Sequence, residues 1–222
     1  MDNVYDDNSK KLIKLYTGAI ADIMDNMGSE FRNQALPINL RPLTPKMKVA
    51  GPIFPVRGNK RFYDDGKDPR YKQMDMLDGI YPGSVIVMDS GDEKTAAHWG
   101  ELMSKTAMEK GAVGAIIHGG IRDTEEIIKH SFPVFASFHS PLTAVYRYNI
   151  IDFNNPIIIG GVNINPGDYI LGDIDGVVCI PKTIIKEVIQ EAQIVKEKED
   201  IVRKELSFGK NIRDLFEKYK VF

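Results

Sequence analysis

The sequence has 222 residues, of which 43% are hydrophobic and 27% are charged, an ordinary globular balance, so we expect a single domain over residues 1–222. The formal net charge of −2 and the lack of a Lys/Arg run argue against a nucleic-acid partner. The single cysteine, Cys179, excludes an intrachain disulfide and is interpreted as a small buried apolar residue. The polar start MDNVYDDNSKK lacks the features of a signal peptide, and no apolar run approaches ~18 residues, so we expect a cytoplasmic protein without a membrane partner.

The chain is predicted to begin with a helix. Apolar residues at spacings of three and four predict a helix from Asn8 or Ser9 to Met27, which Gly28 caps. Thr17 offers a second start inside this stretch, because threonine is a favoured helix cap. The residues before this helix are expected to be loosely structured.

The next segment is rich in proline. Five prolines between residues 37 and 55 exclude a helix, and MKVAGPIFPVRG predicts short strands joined by turns. The polar stretch NKRFYDDGKDPRYKQ is predicted to be a loop that forms part of a rim or lid.

Helices and strands alternate after residue 76. The segment MLDG predicts a short helix, and further helices are predicted at Gly100–Lys110 and in TEEIIKH. Strands are predicted from Ser84 to Met88, in GAVGAIIHGG and FPVFASF, and as a series of short strands over residues 150–181. The stretch from Thr183 to about Leu206 predicts an amphipathic helix of roughly 36 Å, which either wraps the domain or projects onto a neighbour. This order predicts a mixed α/β fold with a central sheet.

Three charged residues in the middle of the chain allow two interpretations. In the first interpretation, Asp123-Thr-Glu-Glu126 is a capping box and Glu101 is an acid favoured by the dipole in the first turn of a helix. Arg122 is then a solvated surface charge. Alternatively, the free first-turn amides after Gly100 bind a carboxylate. Arg122 and Asp123 follow a buried strand, where a loop usually opens on a crevice, and the preceding HGG lets the backbone pass close to a ligand.

The stretch WGELMSKTAMEKGAVGAIIHGGIRD resembles the family that contains the regulator of ribonuclease activity A and 4-hydroxy-4-methyl-2-oxoglutarate aldolase. The signature of that family is an acidic residue, twenty intervening residues and Arg-Asp, and here Glu101 precedes Arg122-Asp123 by that spacing. NPGDYILGDIDGVVCIP is similar to the later segment of the family and LYTGAIADIMDNMG to its first helix. The resemblance therefore covers about residues 15–210.

The resemblance implies a fold, an assembly and an activity. The implied fold is a swivelling β/β/α domain that assembles as a homotrimer or hexamer, with the helix at about 183–206 as an intersubunit arm and the active site between subunits. The implied activity is that of a divalent-metal-dependent aldolase that cleaves small 2-oxo acids to pyruvate and decarboxylates oxaloacetate.

The resemblance also implies residue roles. Asp123 holds Mg²⁺ or Mn²⁺ largely through water, and Arg122 contacts the pyruvyl oxygen and stabilises the enolate. The amides of Leu102 and Met103, with the Gly100–Glu101 turn, bind the substrate carboxylate. Glu101 orients a water on the metal for proton transfer.

Two further acids bear on the implied mechanism. Characterised aldolases usually carry Asp where this chain has Glu101, and the longer side chain moves the carboxylate by about 1.5 Å, a misplacement that can cost ~100-fold in rate. Glu199 is the best match for an acid that the C-terminal helix of a neighbour contributes, although Glu197 competes with it.

Two histidines flank the implied site and no lysine is placed for a Schiff base. His98 and His118 could assist, but they lack a paired metal-ligand spacing.

The alternative to an enzyme is a regulator without turnover that occludes a partner such as an endoribonuclease. That branch of the family tends to lose the Asp after Arg, so the presence of Asp123 favours the enzyme.

Overall fold

A computed structural model of the protein describes residues 5–63 and 66–221. Within these residues the helices are α1 (Asp7–Leu12), α2 (Thr17–Met27), α3 (Arg70–Asp78), α4 (Glu101–Glu109), α5 (Thr124–Lys129), α6 (Ile185–Ser207) and α7 (Ile212–Tyr219). The strands are β1 (Arg41–Pro42), β2 (Val49–Lys60), β3 (Val85–Asp89), β4 (Ala97–Trp99), β5 (Gly114–Ile121), β6 (Val134–His139), β7 (Tyr148–Phe153), β8 (Ile157–Ile159), β9 (Val162–Ile164), β10 (Tyr169–Asp173) and β11 (Gly176–Ile180).

The centre of the fold is a strongly curved sheet with the strand order β1-β6-β5-β3-β2-β10-β11. Strands β2, β3, β5 and β6 are parallel, whereas β10 and β11 pair antiparallel. Edge strand β1 lies beside β10 and β11, and the Arg41 guanidinium donates to the Asp175 carbonyl at 3.2 Å, so the sheet nearly closes on itself. The predicted mixed α/β class with a long C-terminal helix is confirmed.

Three apolar clusters fill the space around this sheet. Helices α3, α4 and α5 cover one face, where Met76, Ala107 and Ile127 are buried against the strands. The other face encloses Cys179 beneath the β8–β9 hairpin. Burial raises the pKa of the Cys179 thiol, so the cysteine is an inert apolar residue, as predicted. The third cluster joins α1, α2 and the first half of α6 to β10 and β11.

The predicted N-terminal helix is two helices. The first begins at Asp7, earlier than predicted, because the Asp6 carboxylate accepts from the Ser9 amide at 2.7 Å. The second begins at Thr17, the second start that the sequence offered. Residues 1–4, expected to be loose, lie outside the described residues.

Asp173 determines where α2 begins. Its carboxylate is 8% exposed and accepts from the Thr17 amide at 2.8 Å and from the Thr17 hydroxyl at 2.7 Å. The Asp175 amide donates to the same carboxylate at 3.0 Å, which closes the turn between β10 and β11. One buried acid therefore fixes the first helix layer to the sheet.

Strand β2 is a single strand of 12 residues, so the prediction of short strands with turns over MKVAGPIFPVRG was wrong. Proline cannot donate to a ladder, and both prolines of β2 lie where no donor is needed. Pro52 immediately precedes the segment that pairs with β3. Pro55 lies in the gap between the segments that pair with β10 and β7.

Other segments also differ from the predictions. The predicted loop NKRFYDDGKDPRYKQ ends in α3, which begins at Arg70, and its residues 64–65 lie outside the described part of the chain. Strand β4 and helix α7 were not predicted. Helix α6 has 23 residues, close to the predicted span. Among the described residues, no helix combines the length and apolar character that a membrane crossing requires.

Asp173→Ala is expected to lower the free energy of unfolding by about 3 kcal/mol, because it leaves the buried amide and hydroxyl of Thr17 without an acceptor. Urea unfolding followed by circular dichroism measures this change. Asp175→Ala, in the same turn but exposed, is the control and should shift stability by less than about 0.5 kcal/mol. Equal losses in the two variants would contradict the role of Asp173.

A candidate anion and metal site at the ends of β4 and β5

The two strand ends that precede α4 and α5 lie side by side. Strand β4 pairs in parallel with β5, and the Arg122 amide donates to the Trp99 carbonyl at 3.1 Å. The chain leaves β4 through Gly100 into α4, and it leaves β5 through Arg122 and Asp123 into α5. The sheet therefore brings together the charged residues that the sequence separates by twenty positions.

Asp123 occupies the cap position of α5 but does not cap that helix. Its backbone is left-handed, with φ 57° and ψ 31°, and its side chain makes no capping hydrogen bond. The carboxylate instead points across to α4, where Oδ2 lies 3.4 Å from the Glu101 amide nitrogen. The same oxygen lies 3.6 Å from Arg122 Nε. The capping-box interpretation is therefore wrong for the Asp123 side chain.

Gly100 makes room for this carboxylate. A Cβ atom at position 100 would lie 2.7 Å from Asp123 Oδ2, which is closer than such contacts occur. Gly119 and Gly120, in contrast, do not face a ligand as the sequence suggested. A Cβ at these positions would meet His98 Nδ1 at 2.6 Å and the Ala96 carbonyl oxygen at 2.3 Å, so these glycines allow β4 to approach β5.

The start of α4 has the donors that an anion needs. The amides of Leu102 and Met103 belong to the first turn and have no acceptor within the helix. The positive end of the helix dipole points in the same direction. Gly100 has no side chain that could cap this helix, and Asp123 Oδ2 lies near the Glu101 amide, so a carboxylate group of a ligand can bind the Leu102 and Met103 amides.

These groups line one cleft of about 340 Å³. Its lining includes Gly100, Leu102, Met103, Arg122 and Asp123, which the sequence predicted together. The side chains of Arg122 and Asp123 are 47% and 44% exposed, so both are accessible to a small molecule. Strands β4 and β7, helix α3 and the segment 143–145 form the remaining walls.

Glu101 and Glu199 lie elsewhere. Glu101 Oε1 is 3.1 Å from Nε2 of His130, at the end of α5, and Glu101 is not among the residues that line the cleft. Glu199, on α6, binds the Tyr16 hydroxyl and Arg203, the latter at 2.6 Å. Burial and Glu199 together raise the pKa of Tyr16 to about 12. Within its own chain Glu199 therefore fastens α6 to the segment between α1 and α2.

A buried pair that the sequence analysis missed supports β4. The Glu93 carboxylate accepts from the Ala96 amide at 2.8 Å and from the amide and hydroxyl of Thr95. Its Oε2 also lies 2.9 Å from His98 Nε2. Burial opposes ionisation of Glu93, but these hydrogen bonds outweigh it and hold the pKa of the carboxyl below its ordinary value. The sequence offered one signal for this turn, since an acid two residues before a threonine can accept from the threonine amide and hydroxyl. No local pattern indicates that His98 pairs with Glu93.

His98 is a neutral residue of the cleft wall. Burial lowers the pKa of its imidazole, and the Glu93 carboxylate only partly opposes this shift. The Gly120 amide donates to Nδ1 at 3.0 Å, so the neutral ring carries its proton on Nε2, facing Glu93. His118 does not line the cleft, because its ring pairs with Asp89 at 2.9 Å.

The donor set fits a hard cation with many waters. In the described residues there is no cluster of three His, Cys, Asp or Glu side chains that could hold a metal, which argues against a zinc-type site. Asp123 Oδ1 accepts no hydrogen bond from the described residues, so one oxygen remains for a cation. A single carboxylate with water as the other ligands suits Mg²⁺ or Mn²⁺.

Comparison with known proteins identifies a family model and two similar proteins. A family model described as RraA-like, Aldolase/RraA, matches residues 20–179. Protein DlpA of Legionella pneumophila is 28% identical over 213 residues, which are 95% of this chain and 33% of that protein. A provisionally named 4-hydroxy-4-methyl-2-oxoglutarate aldolase of Halalkalibacterium halodurans is 31% identical over 199 residues, covering 88% of this chain and 86% of that protein.

A solved structure, described as belonging to novel cellulases from microbes associated with the gut ecosystem, has a similar fold. It superposes with a TM-score of 0.81 at 35% identity and covers 87% of this chain and 85% of that chain. The chain thus spans only a third of the length of DlpA, but most of the length of the other two proteins.

Gly100→Ala is expected to displace the Asp123 carboxylate and to weaken Mn²⁺ binding about tenfold, because the added Cβ would lie 2.7 Å from Oδ2. Titration calorimetry with MnCl₂ measures the binding. Stability should change by less than about 1 kcal/mol, because the obstructed group is the end of a movable side chain. Gly18→Ala is the control, since its Cβ would meet only the Tyr16 ring at 3.6 Å. Unchanged Mn²⁺ binding in Gly100→Ala would contradict the placement of the cation on Asp123.

Stability is expected to fall as the pH decreases below about 6.5, the ordinary pKa of histidine. The pKa of His98 is lower in the folded state than in the unfolded chain, so the unfolded state takes up this proton first. Urea unfolding between pH 7.5 and 5 measures the slope. His98→Gln should reduce the slope in this range, because the amide does not titrate, and an identical slope in both proteins would contradict the assignment.

Proposed function

From its membership of the RraA-like, Aldolase/RraA family, we propose that the chain is a divalent-metal-dependent lyase that cleaves 2-oxo acids to give pyruvate. The proposed substrates are 4-hydroxy-4-methyl-2-oxoglutarate or a related hydroxy-oxo acid, with oxaloacetate as a decarboxylation substrate. One observation carries this proposal. Asp123 Oδ2 lies 3.4 Å from the first amide of α4 and 3.6 Å from Arg122 Nε, on the wall of one cleft.

The start of α4 is the proposed binding site for the carboxylate of the 2-oxo acid. The amides of Leu102 and Met103 donate to its oxygens, and the helix dipole adds attraction. The Gly100–Glu101 turn brings these amides to the cleft. This placement sets the 2-oxo group beside Arg122 and Asp123.

Arg122 acts on the charge that develops during bond cleavage. When the C3–C4 bond of a 4-hydroxy-2-oxo acid breaks, its electron pair passes to C3 and onto the 2-oxo oxygen as an enolate. The C4 hydroxyl loses its proton and becomes the carbonyl of the second product. The Arg122 guanidinium donates to the enolate oxygen, and a proton returned to C3 completes pyruvate.

Asp123 is the proposed ligand for Mg²⁺ or Mn²⁺, which when bound supplies positive charge next to the 2-oxo group. The close approach of Asp123 to Gly100 places its carboxylate within the same cleft as the α4 amides. Its left-handed backbone turns the side chain away from α5 and toward α4. This direction supports the proposal, because it puts the carboxylate in the cleft where the 2-oxo acid is proposed to bind.

Glu101 is the proposed acceptor of the hydroxyl proton. Its carboxylate pairs with His130 at 3.1 Å in the structure, so it acts after leaving that contact or through an intervening water. Glu199 is proposed to complete the site of a neighbouring subunit in a homotrimer or hexamer. That role requires the neighbour to compete with Tyr16 and Arg203 for the Glu199 carboxylate.

A regulator that binds a partner protein is the second candidate function. The observation that favours it is Leu102, an apolar side chain at the cleft that is 75% exposed and suits a protein contact. The retention of both Arg122 and Asp123 in an accessible cleft favours the enzyme. An endoribonuclease is the proposed kind of partner for the regulator.

Pyruvate release from oxaloacetate and from 4-hydroxy-4-methyl-2-oxoglutarate is expected with Mg²⁺ and should be lost with excess chelator. Arg122→Ala should lower kcat/KM by roughly 100- to 1,000-fold, because it removes a donor to the enolate oxygen. A coupled lactate dehydrogenase assay measures the pyruvate.

Arg213→Ala is the matched control, since Arg213 lies on α7 outside the cleft, and it should retain full activity. Release that survives the chelator, or that survives Arg122→Ala, would contradict the proposed enzyme. Absence of release together with tight binding of an endoribonuclease would favour the regulator.

A further inference from the structure

We propose that Arg70 binds the distal carboxylate of the substrate and makes the cleft selective for dicarboxylic 2-oxo acids. This inference rests on the proposed function, because it assumes that the α4 start holds the first carboxylate. It assigns a specificity role to Arg70, in the segment that the sequence analysis predicted to form part of a rim or lid.

The first observation is the charge of the cleft wall. Among the residues that line the cleft, the charged ones are Arg70, Arg122 and Asp123. His98 is neutral, and most of the remaining lining is apolar. Arg122 and Asp123 serve the 2-oxo end of the substrate in the proposed reaction. Arg70 is then the other cation of this lining, and although Asp68 partly compensates its charge, it can bind a second negative charge.

The second observation is the position of α3 over the start of α4. The Gln73 side-chain amide contacts the sulfur of Met103, whose own amide belongs to the proposed carboxylate site. Arg70 precedes Gln73 by three residues on the same helix, so their Cβ atoms are about 5–6 Å apart. Arg70 therefore projects from the same face of α3 as Gln73, and both residues line the cleft together with the start of α4. The first carboxylate and Arg70 would then lie on two walls of the same cleft.

The third observation is the way in which Asp68 orients Arg70. The Asp68 carboxylate accepts from Arg70 Nε at 2.9 Å and from Nη2 at 2.5 Å, and it also accepts from the Arg70 amide at 3.0 Å. Asp68 is not among the residues that line the cleft, whereas Arg70 is. The pairing uses one edge of the guanidinium and leaves the Nη1 donors for a ligand. Asp68 is thus a positioning residue.

A cation is needed if a second carboxylate enters this cleft. Moving a carboxylate from water to an apolar wall without a partner is unfavourable, so a cleft without Arg70 would prefer a neutral group at that end. The Arg70 side chain is 64% exposed, and solvent screens its charge. The expected effect is therefore tens of fold rather than thousands.

The decisive experiment compares two substrates that differ only at the distal end. 4-Hydroxy-2-oxoglutarate carries a carboxylate where 4-hydroxy-2-oxopentanoate carries a methyl group, and both release pyruvate on cleavage. Arg70→Ala is expected to lower kcat/KM for the diacid by about 10- to 30-fold and to change that for the monoacid less than twofold. For the diacid, the kcat/KM of Arg70→Lys should lie between those of the unmodified protein and Arg70→Ala, because lysine keeps the charge but not the paired geometry.

Two matched variants separate binding from general damage. Lys72→Ala removes a positive charge from the same helix at a residue that does not line the cleft, and both substrates should be unaffected. Asp68→Asn should raise KM for the diacid several-fold and leave kcat unchanged, because it loosens the guanidinium without removing it. Equal losses on both substrates in Arg70→Ala would show a structural role and overturn the inference, as would no loss on either.

Binding of unreactive acids distinguishes this inference from the proposed function. Titration calorimetry with 2-oxoglutarate and 2-oxopentanoate, in the presence of Mg²⁺, should show a preference for the diacid that Arg70→Ala removes. If the protein cleaves neither hydroxy-oxo acid but keeps this preference, the proposed function fails and the inference stands. If it cleaves both acids with the same efficiency and Arg70→Ala changes neither, the inference fails and the proposed function stands.

Discussion

The geometry of the candidate site depends on one backbone contact, the hydrogen bond from the Arg122 amide to the Trp99 carbonyl. It sets the end of β5 against the end of β4, so that two strand-to-helix junctions share one cleft. Since the side chains of Arg122 and Asp123 are only partly buried, no core packing holds them in place. Their positions are set by the backbone at the ends of β4 and β5. The three-residue strand β4 is therefore essential to the geometry of the cleft.

The packing beneath β4 maintains this contact. Glu93 and His98 form a buried pair, and the Gly120 amide connects that pair to β5. A buried carboxylate is tolerated because Thr95 and Ala96 supply hydrogen bonds to it. The absence of side chains at Gly119 and Gly120 lets the imidazole and the β4 backbone lie against β5. Polar burial and glycine thus help to fix this short strand, together with the buried Trp99 side chain.

The sequence predicted much of the fold and part of the site. Local periodicity was sufficient for α2, α4, β5 and α6, and the resemblance located Arg122 and Asp123. The contact between Glu101 and His130 was not predicted, because it joins residues that only tertiary structure brings together. Strand β4 escaped notice because AHW is too short to show alternation, and β2 was divided because proline is usually read as a break. The cap position of Asp123 was recognised, whereas the direction of its side chain depends on a backbone angle that a residue pattern does not specify.

The left-handed backbone at Asp123 restricts which residues evolution or an engineer can place there. For most residues this conformation is about 1–2 kcal/mol less stable than a right-handed one, and only Gly, Asn and Asp adopt it readily. Of these three, only Asp brings a negative charge. Glutamate would retain the charge but would disfavour this backbone conformation. In the proposed function, the position is therefore limited by the left-handed backbone and by the need for a negative charge, and aspartate satisfies both conditions.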